Sequence, residues 1–266
     1  MYSFKFHHAK NLVNASELLA DNAEAKLLAG GQSLLASMKL RLNNPSALID
    51  LKALVDLSGI TVTPKEVVVG AMTRHAQVAG SIEVQNAIPG LHFLAGRIAD
   101  RMVRNMGTLG GSLANSDPSA DYPAATLALN STIVTNRRSI AADDFFKGLF
   151  QTALNESEII TQVRFLIPKR SAYVKFKHPA SRYAVVGVFI ADFGHEVRVA
   201  ITGAASCVFR HAEMESALNK DMTINSIAKI KTPTSNLNCD IFADEEYRSY
   251  LVTRMAIKAV EKINQL

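Results

Sequence analysis

The chain has 266 residues, 48% of them hydrophobic and 20% charged, so it is long enough for one large and one smaller domain and too apolar to be disordered. Its formal net charge of +5 comes from scattered basic residues, a pattern that argues against nucleic-acid binding. The two cysteines, Cys207 and Cys239, lie far apart and outside any CxxC motif, which excludes a disulfide framework, a four-cysteine zinc site and an iron–sulfur site. This cysteine usage predicts a reducing, cytoplasmic location.

The N-terminal part of the chain lacks the long apolar core of a signal peptide, and the longest strongly apolar run, 184–191, is too short to span a bilayer. A short extended piece around Phe4 and Phe6 precedes a helix predicted from about Ala15, where Asn14 and Glu17 have the spacing of a capping box. The next predicted elements are strands at 26–29 and 47–51, a hairpin of 60–63 with 67–70, and helical pattern over 73–104.

A change of pattern follows Pro168-Lys169-Arg170, which is therefore predicted as a domain boundary. Strands are predicted before it at 131–135 and 159–167, and after it at 173–177, 185–193 and 197–202 as an antiparallel meander. A last helix from about Asp244 carries apolar residues spaced by four, namely Tyr247, Leu251, Met255, Ala259 and Ile263. Because helices and strands are mixed and do not strictly alternate, the predicted fold class is α+β.

Two glycine-rich segments are the main candidate functional features. The first segment follows a predicted strand and consists of Ala29, Gly30, Gly31, Gln32, Ser33 and Leu34. The second segment follows a predicted helix and consists of Gly107, Thr108, Leu109, Gly110, Gly111 and Ser112. Neither matches the GxGxxG fingerprint of Rossmann folds or a GxxxxGK[ST] phosphate loop.

Paired glycines have a physical use at a nucleotide site. Without a Cβ the backbone can turn through positive φ, and successive free amides then form a concave group that suits phosphate oxygens. Each segment alone is better explained as a tight turn. The stretch 110–123 adds small residues, two acids and two prolines, a composition that favours a site for a large planar ligand.

Stretches 27–51 and 104–125 closely resemble the FAD-binding medium subunit of the carbon monoxide dehydrogenase and xanthine dehydrogenase family. The resemblance continues through 173–188 and 246–260, so it covers nearly the whole chain. The chain departs from many relatives by having Gln32 where they have His and Ala36 where they have Pro. Gln can still donate a hydrogen bond, so this departure does not argue against binding.

The resemblance implies a two-lobed FAD-binding domain of the vanillyl-alcohol-oxidase (PCMH) type at 1–170, with lobes of about 1–56 and 57–170. It also implies a small C-terminal domain with an antiparallel sheet and helices at 171–266. In such subunits both glycine-rich segments hold the diphosphate of FAD.

Four further contacts to FAD are implied by the resemblance. Asp121 is expected at the flavin end, Ile160 near the ring, Lys177 near the reduced flavin or the diphosphate, and Tyr183 against the isoalloxazine face. On the residues alone, Asp121 can equally cap a helix that begins near Pro123, and Lys177 can be a solvated strand lysine. No residue is assigned a catalytic or metal-binding role.

The implied function is that of an electron-transfer subunit. In the family, substrate is oxidised at a molybdenum centre and electrons pass through iron–sulfur clusters to FAD and then to an external acceptor. Because this chain lacks cysteines for the clusters, it is expected to need an iron–sulfur small subunit and a molybdenum-cofactor large subunit, in a dimer of heterotrimers.

Three alternatives remain open from the sequence. The chain could be a self-contained flavin-dependent reductase or oxidase of the same fold, which would need its own acid–base residues beside the flavin. It could be a non-catalytic module that stores flavin or phosphate-bearing metabolites. It could also be a structural protein whose glycines only make turns.

Overall fold

Three hydrophobic cores follow one another in the computed structural model, which describes residues 1–265. The first surrounds a three-stranded parallel sheet in the order β1-β3-β2. Its elements are β1 (Lys5–His8), α1 (Leu12–Asp21), β2 (Lys26–Leu28), α2 (Leu34–Lys39) and β3 (Ala47–Asp50). The central strand β3 buries Ala47, Leu48 and Ile49, which hold this lobe together.

The first helix begins earlier than the sequence predicts. Asn11 has extended backbone, with φ −159° and ψ 177°, and its side chain accepts a hydrogen bond from the amide of Asn14. The helix therefore starts at Leu12, and the predicted capping box of Asn14 with Glu17 is wrong. Either asparagine can cap a helix, and the backbone conformation of Asn11 decided between them.

The second lobe contains a five-stranded antiparallel sheet in the order β4-β5-β10-β6-β7. The predicted hairpin is confirmed, since β4 and β5 pair from Ile60 to Val62 against Val67 to Val69. The strands of this lobe are β4 (Ile60–Val62), β5 (Glu66–Gly70), β6 (Thr132–Thr135), β7 (Ser139–Ala141), β8 (Phe146–Gly148), β9 (Gln151–Thr152) and β10 (Ile160–Leu166). The sequence did not indicate β7, β8 or β9.

The helical pattern over 73–104 forms four short helices, separated by stops that are visible in the sequence. Ser81 caps one helix, Pro89 begins the next, and Asp100 caps the last. The helices of the second lobe are α3 (His75–Gly80), α4 (Ile82–Ala87), α5 (Pro89–Arg97), α6 (Arg101–Met106), α7 (Leu109–Asn115), α8 (Tyr122–Ala128) and α9 (Ala142–Phe145).

The C-terminal part is a four-stranded antiparallel sheet, and the predicted meander is confirmed by the pairing of its first three strands. Its elements are β11 (Arg170–Lys177), β12 (Ala184–Asp192), β13 (Val197–Thr202), β14 (Phe209–Arg210), α10 (Ala212–Lys220), α11 (Ile224–Ile227) and α12 (Glu245–Ile263). All nine residues of β12 are buried, because alternate side chains enter the core of the second lobe and the core under α12.

The last helix begins where the sequence predicts, with Asp244 as its cap, but the predicted apolar face is buried only from Leu251 onward, since Tyr247 is 39% exposed. The predicted boundary at 168–170 coincides with the start of β11. Because the C-terminal sheet shares a core with the second lobe, the division into domains at 170, and into lobes near 56, stays a prediction. The fold class α+β is confirmed by the separate helices and largely antiparallel sheets.

Candidate functional site

The two glycine-rich segments lie against each other, although they belong to different lobes. A Cβ on Gly30 would stand 2.2 Å from the carbonyl oxygen of Met106 and 2.7 Å from the Cα of Gly107. A Cβ on Gly111 would stand 3.8 Å from the Cβ of Ala29. Only a residue without a side chain lets the backbones approach this closely, so Gly30 is the contact that joins the two segments.

The first segment carries a run of unpaired backbone donors. Gly31 has a φ of +68°, a conformation that favours glycine, and the chain then enters α2 at Leu34. Within residues 1–265, the amides from Gly30 to Leu34 donate no hydrogen bond to another protein group. The side chains of Gln32 and Ser33 are exposed beside these amides. Such a run of free donors suits an anionic, oxygen-rich ligand such as a diphosphate.

The second segment differs from the sequence-based prediction, because it is the start of a helix and its amides are engaged. Leu109 donates to the carbonyl of Thr73 at 3.0 Å and Gly110 to that of Ala71 at 2.8 Å. Gly111 donates to the hydroxyl of Thr108, which caps α7. The prediction of a second nest of free amides is therefore wrong.

What the second segment offers to a ligand is a flat surface of small residues. Leu109 and Gly110 are buried, whereas Gly111 and Ala114 are exposed on the outer face of α7. Ser112 and Asn115 lie half-buried on the same helix, and their side chains are polar. Because Gly111 faces Ala29, this surface continues directly from the amides of the first segment. Asn115 is a candidate contact that the sequence analysis did not single out.

Asp121 is buried in a network of charges and hydrogen bonds. Its carboxylate accepts hydrogen bonds from the hydroxyl of Tyr173 and, at 2.9 Å, from Nζ of Lys175. Burial raises the pKa of Asp121, while the charge of Lys175 and the two hydrogen bonds oppose that rise. Asp121 makes no capping hydrogen bond to α8, so the alternative role as a helix cap is wrong.

Tyr183 lies at the end of the turn between β11 and β12, and its side chain lies near that of Ser33. The pKa of Tyr183 is raised by burial and by the nearby carboxylates of Asp117 and Asp121, while a hydrogen bond with Ser33 opposes the rise. Its side chain is still 44% exposed, so one side of the ring is open. The structure thus brings Tyr183 to the first glycine-rich segment.

The other two predicted residues lie in contrasting environments. Ile160 begins β10 and is buried in the core of the second lobe. Lys177 ends β11 with an exposed side chain and makes no ion pair within residues 1–265. The lysine that pairs with Asp121 is Lys175, which the sequence analysis missed.

A signal for Lys175 was present in the sequence. Residues two apart on a regular strand share a face, so Tyr173 and Lys175 project from the same side of β11, whereas the pairing with β12 becomes irregular between Phe176 and Lys177. Tyr173 is fully buried and Lys177 is exposed, so Lys175 is the residue at the edge of the core. A lysine in that position needs a partner, and Asp121 supplies it.

The buried His75 packs against Gly107 at the start of the second segment. The amide of His75 donates to the carbonyl of Gly107 at 3.0 Å, and its ring lies 5.3 Å from that of Tyr122. Burial and the charge of Arg104 lower the pKa of His75 to about 4. The imidazole is therefore neutral at physiological pH and acts as a packing group.

Residues 1–265 show neither a metal site nor a membrane-spanning helix. No group of three or more His, Cys, Asp or Glu side chains is arranged to hold a metal ion. No helix in this range combines the length and apolar character needed to cross a membrane.

Comparison with known proteins gives one family match that covers more than half of the chain. Residues 2–169 match the family described as the FAD binding domain in molybdopterin dehydrogenase. The chain is 32% identical to the glyceraldehyde dehydrogenase medium chain of Sulfolobus acidocaldarius, over 98% of each chain. It is 33% identical to the carbon monoxide dehydrogenase medium chain of Hydrogenophaga pseudoflava, over 97% of this chain and 96% of the other.

A solved structure agrees with these matches. The carbon monoxide dehydrogenase from Hydrogenophaga pseudoflava that lacks the Mo-pyranopterin moiety contains a chain that superposes with a TM-score of 0.89 at 32% identity. The alignment covers 99% of this chain and 98% of that one.

Proposed function

Because the chain belongs to the family of FAD-binding medium subunits of molybdenum hydroxylases, we propose that it carries electrons from the iron–sulfur clusters of a partner subunit to an external acceptor. The observation that best supports the proposal is the run of unpaired amides from Gly30 to Leu34, placed beside the small-residue face of α7. These groups fit the diphosphate of FAD, because they provide several backbone donors that are not used by protein acceptors.

We assign different residues to the diphosphate and to the flavin end of FAD. The first segment, Ala29 to Leu34, binds the diphosphate through its amides and the hydroxyl of Ser33. From the second segment, residues Thr108 to Ser112 contribute the hydroxyl of Ser112 and a surface of small residues that FAD can approach closely. Asp121, Ile160, Lys177 and Tyr183 are proposed for the flavin end.

Bound FAD supplies the redox chemistry, since its ring can take up and release electrons one or two at a time. The chain's own residues bind it, orient it and limit its exposure to water. Tyr183 offers a partly exposed ring beside the first segment, and the buried Asp121 keeps a carboxylate at the inner end of the site. Neither residue is assigned a proton-transfer step.

Partner subunits are needed because this chain cannot hold iron–sulfur clusters itself. Cys207 is half-buried and Cys239 is exposed on the separate segment before α12. We propose an iron–sulfur small subunit and a molybdenum-cofactor large subunit, assembled as a dimer of heterotrimers in the cytoplasm. The relatives named as medium chains support a multi-subunit assembly.

The experiment compares the isolated chain with the chain co-purified with its native partner subunits. The isolated chain should bind FAD in a one-to-one ratio and show visible flavin absorbance. Under anaerobic conditions, substrate should bleach the flavin only in the assembled complex. A folded chain that refuses FAD would overturn the proposal, and bleaching of the isolated chain by a small substrate would favour the self-contained enzyme.

A further inference from the structure

Lys175 makes two contacts that connect distant parts of the site. Its Nζ donates to the carboxylate of Asp121 at 2.9 Å and to the backbone carbonyl of Arg182 at 3.0 Å. Its side chain is only 6% exposed. A buried ammonium group is costly unless both charge and hydrogen bonds are satisfied, so the lysine holds both acceptors in place.

The second acceptor immediately precedes Tyr183. Arg182 has a φ of +64°, so its backbone is in the left-handed region that a side chain disfavours. The turn is closed by hydrogen bonds between His178 and Tyr183 and between Arg182 and His178. An additional bond from Lys175 stabilises this strained turn at the position that determines where Tyr183 points.

We infer that Lys175 is a positioning residue that couples Asp121 to Tyr183, so that the inner carboxylate and the outer aromatic ring of the site are held as one unit. The inference rests on the proposed function, because it concerns the same FAD site. Asp121, Lys175 and Tyr183 thereby join the loop after α7, strand β11 and the turn between β11 and β12 that places Tyr183 near Ser33. Lys177, which follows the irregularity in β11, is exposed and makes neither contact within residues 1–265.

The test uses Lys175→Met, Tyr183→Phe and the two combined, with Lys258→Met on the exposed face of α12 as the matched control. FAD affinity is measured by fluorescence titration, and hydrogen exchange is measured for amides 178–183 without FAD. Lys175→Met should weaken FAD binding about tenfold and raise exchange selectively in 178–183. Tyr183→Phe should weaken binding about threefold alone and have no further effect when combined with Lys175→Met.

A second genetic background, Asp121→Asn with Lys175→Met, distinguishes loss of coupling from a simple folding defect. Lys175→Met leaves the carboxylate of Asp121 without its charge partner, whereas Asp121→Asn with Lys175→Met removes both charges together. Tyr183→Phe should again have no further effect in this background. Additive effects of Lys175 and Tyr183, or unchanged exchange in 178–183, would refute the coupling. If the unmodified chain binds no FAD, the proposed function fails instead, and the exchange measurement still tests the turn.

Discussion

Replacing Gly30 by alanine should separate the two glycine-rich segments and weaken FAD binding. The added Cβ would lie 2.2 Å from the Met106 carbonyl oxygen and 2.7 Å from the Cα of Gly107, both backbone atoms that no side-chain rotation can move. Relief requires the backbones to part by on the order of 1 Å, and overpacking of this kind costs about 1–3 kcal/mol. If that free energy is lost from binding, the dissociation constant for FAD rises roughly 5- to 150-fold.

The assay is titration of FAD fluorescence on the purified variant, with urea unfolding measured in parallel. Gly80→Ala is the matched control, because a Cβ at Gly80 meets nothing within 4 Å and should leave affinity unchanged. The reasoning is refuted if folded Gly30→Ala binds FAD as tightly as the unmodified chain. It is also refuted if Gly80→Ala loses as much affinity, since the effect would then not come from the contact between segments.

Three further predictions concern buried ionisable groups. The pKa of His75 is lowered to about 4, so the unfolded chain binds more protons below pH 6.5, and on the order of 3 kcal/mol of stability should be lost between pH 6.5 and 4. The free energy of unfolding of His75→Gln, measured in urea, should not show this loss between pH 6.5 and 4. An unchanged dependence on pH would contradict the assignment of the low pKa to His75. Hydrogen bonds from Arg138 lower the pKa of Glu158 to about 2, so its contribution is fully present above pH 4.5 and lost as the pH falls toward 2. Because the Arg138 side chain is 44% exposed and solvent screens the pair, Glu158→Gln should cost about 1 kcal/mol at pH 7 and progressively less in acid, whereas a cost independent of pH would argue against the ion pair. Asp121→Asn should lower the free energy of unfolding by about 3–5 kcal/mol by leaving Lys175 without its carboxylate, and adding Lys175→Met should restore part of it in the same urea experiment.

Local sequence patterns predicted most of the strands and the last helix. The meander from 173 to 202 could be predicted because its β-rich runs alternate with short turns, and Asp244 is a capping residue directly before a long amphipathic pattern. The start of α1 was missed because two asparagines compete for the capping position. The helical stretch over 73–104 was not divided, although Ser81 and Pro89 are both typical starts of helices.

For the candidate site, the sequence by itself determined which segments we propose, since small residues and glycines in unusual density identify them without any fold. Tertiary structure decided what each segment does there. The amides of Leu109 and Gly110 are engaged by the carbonyls of Thr73 and Ala71, and local sequence does not reveal such distant acceptors. The same holds for the choice of Lys175 over Lys177, which depends on the buried position of Lys175 beside Asp121 and on the irregular strand pairing just before Lys177.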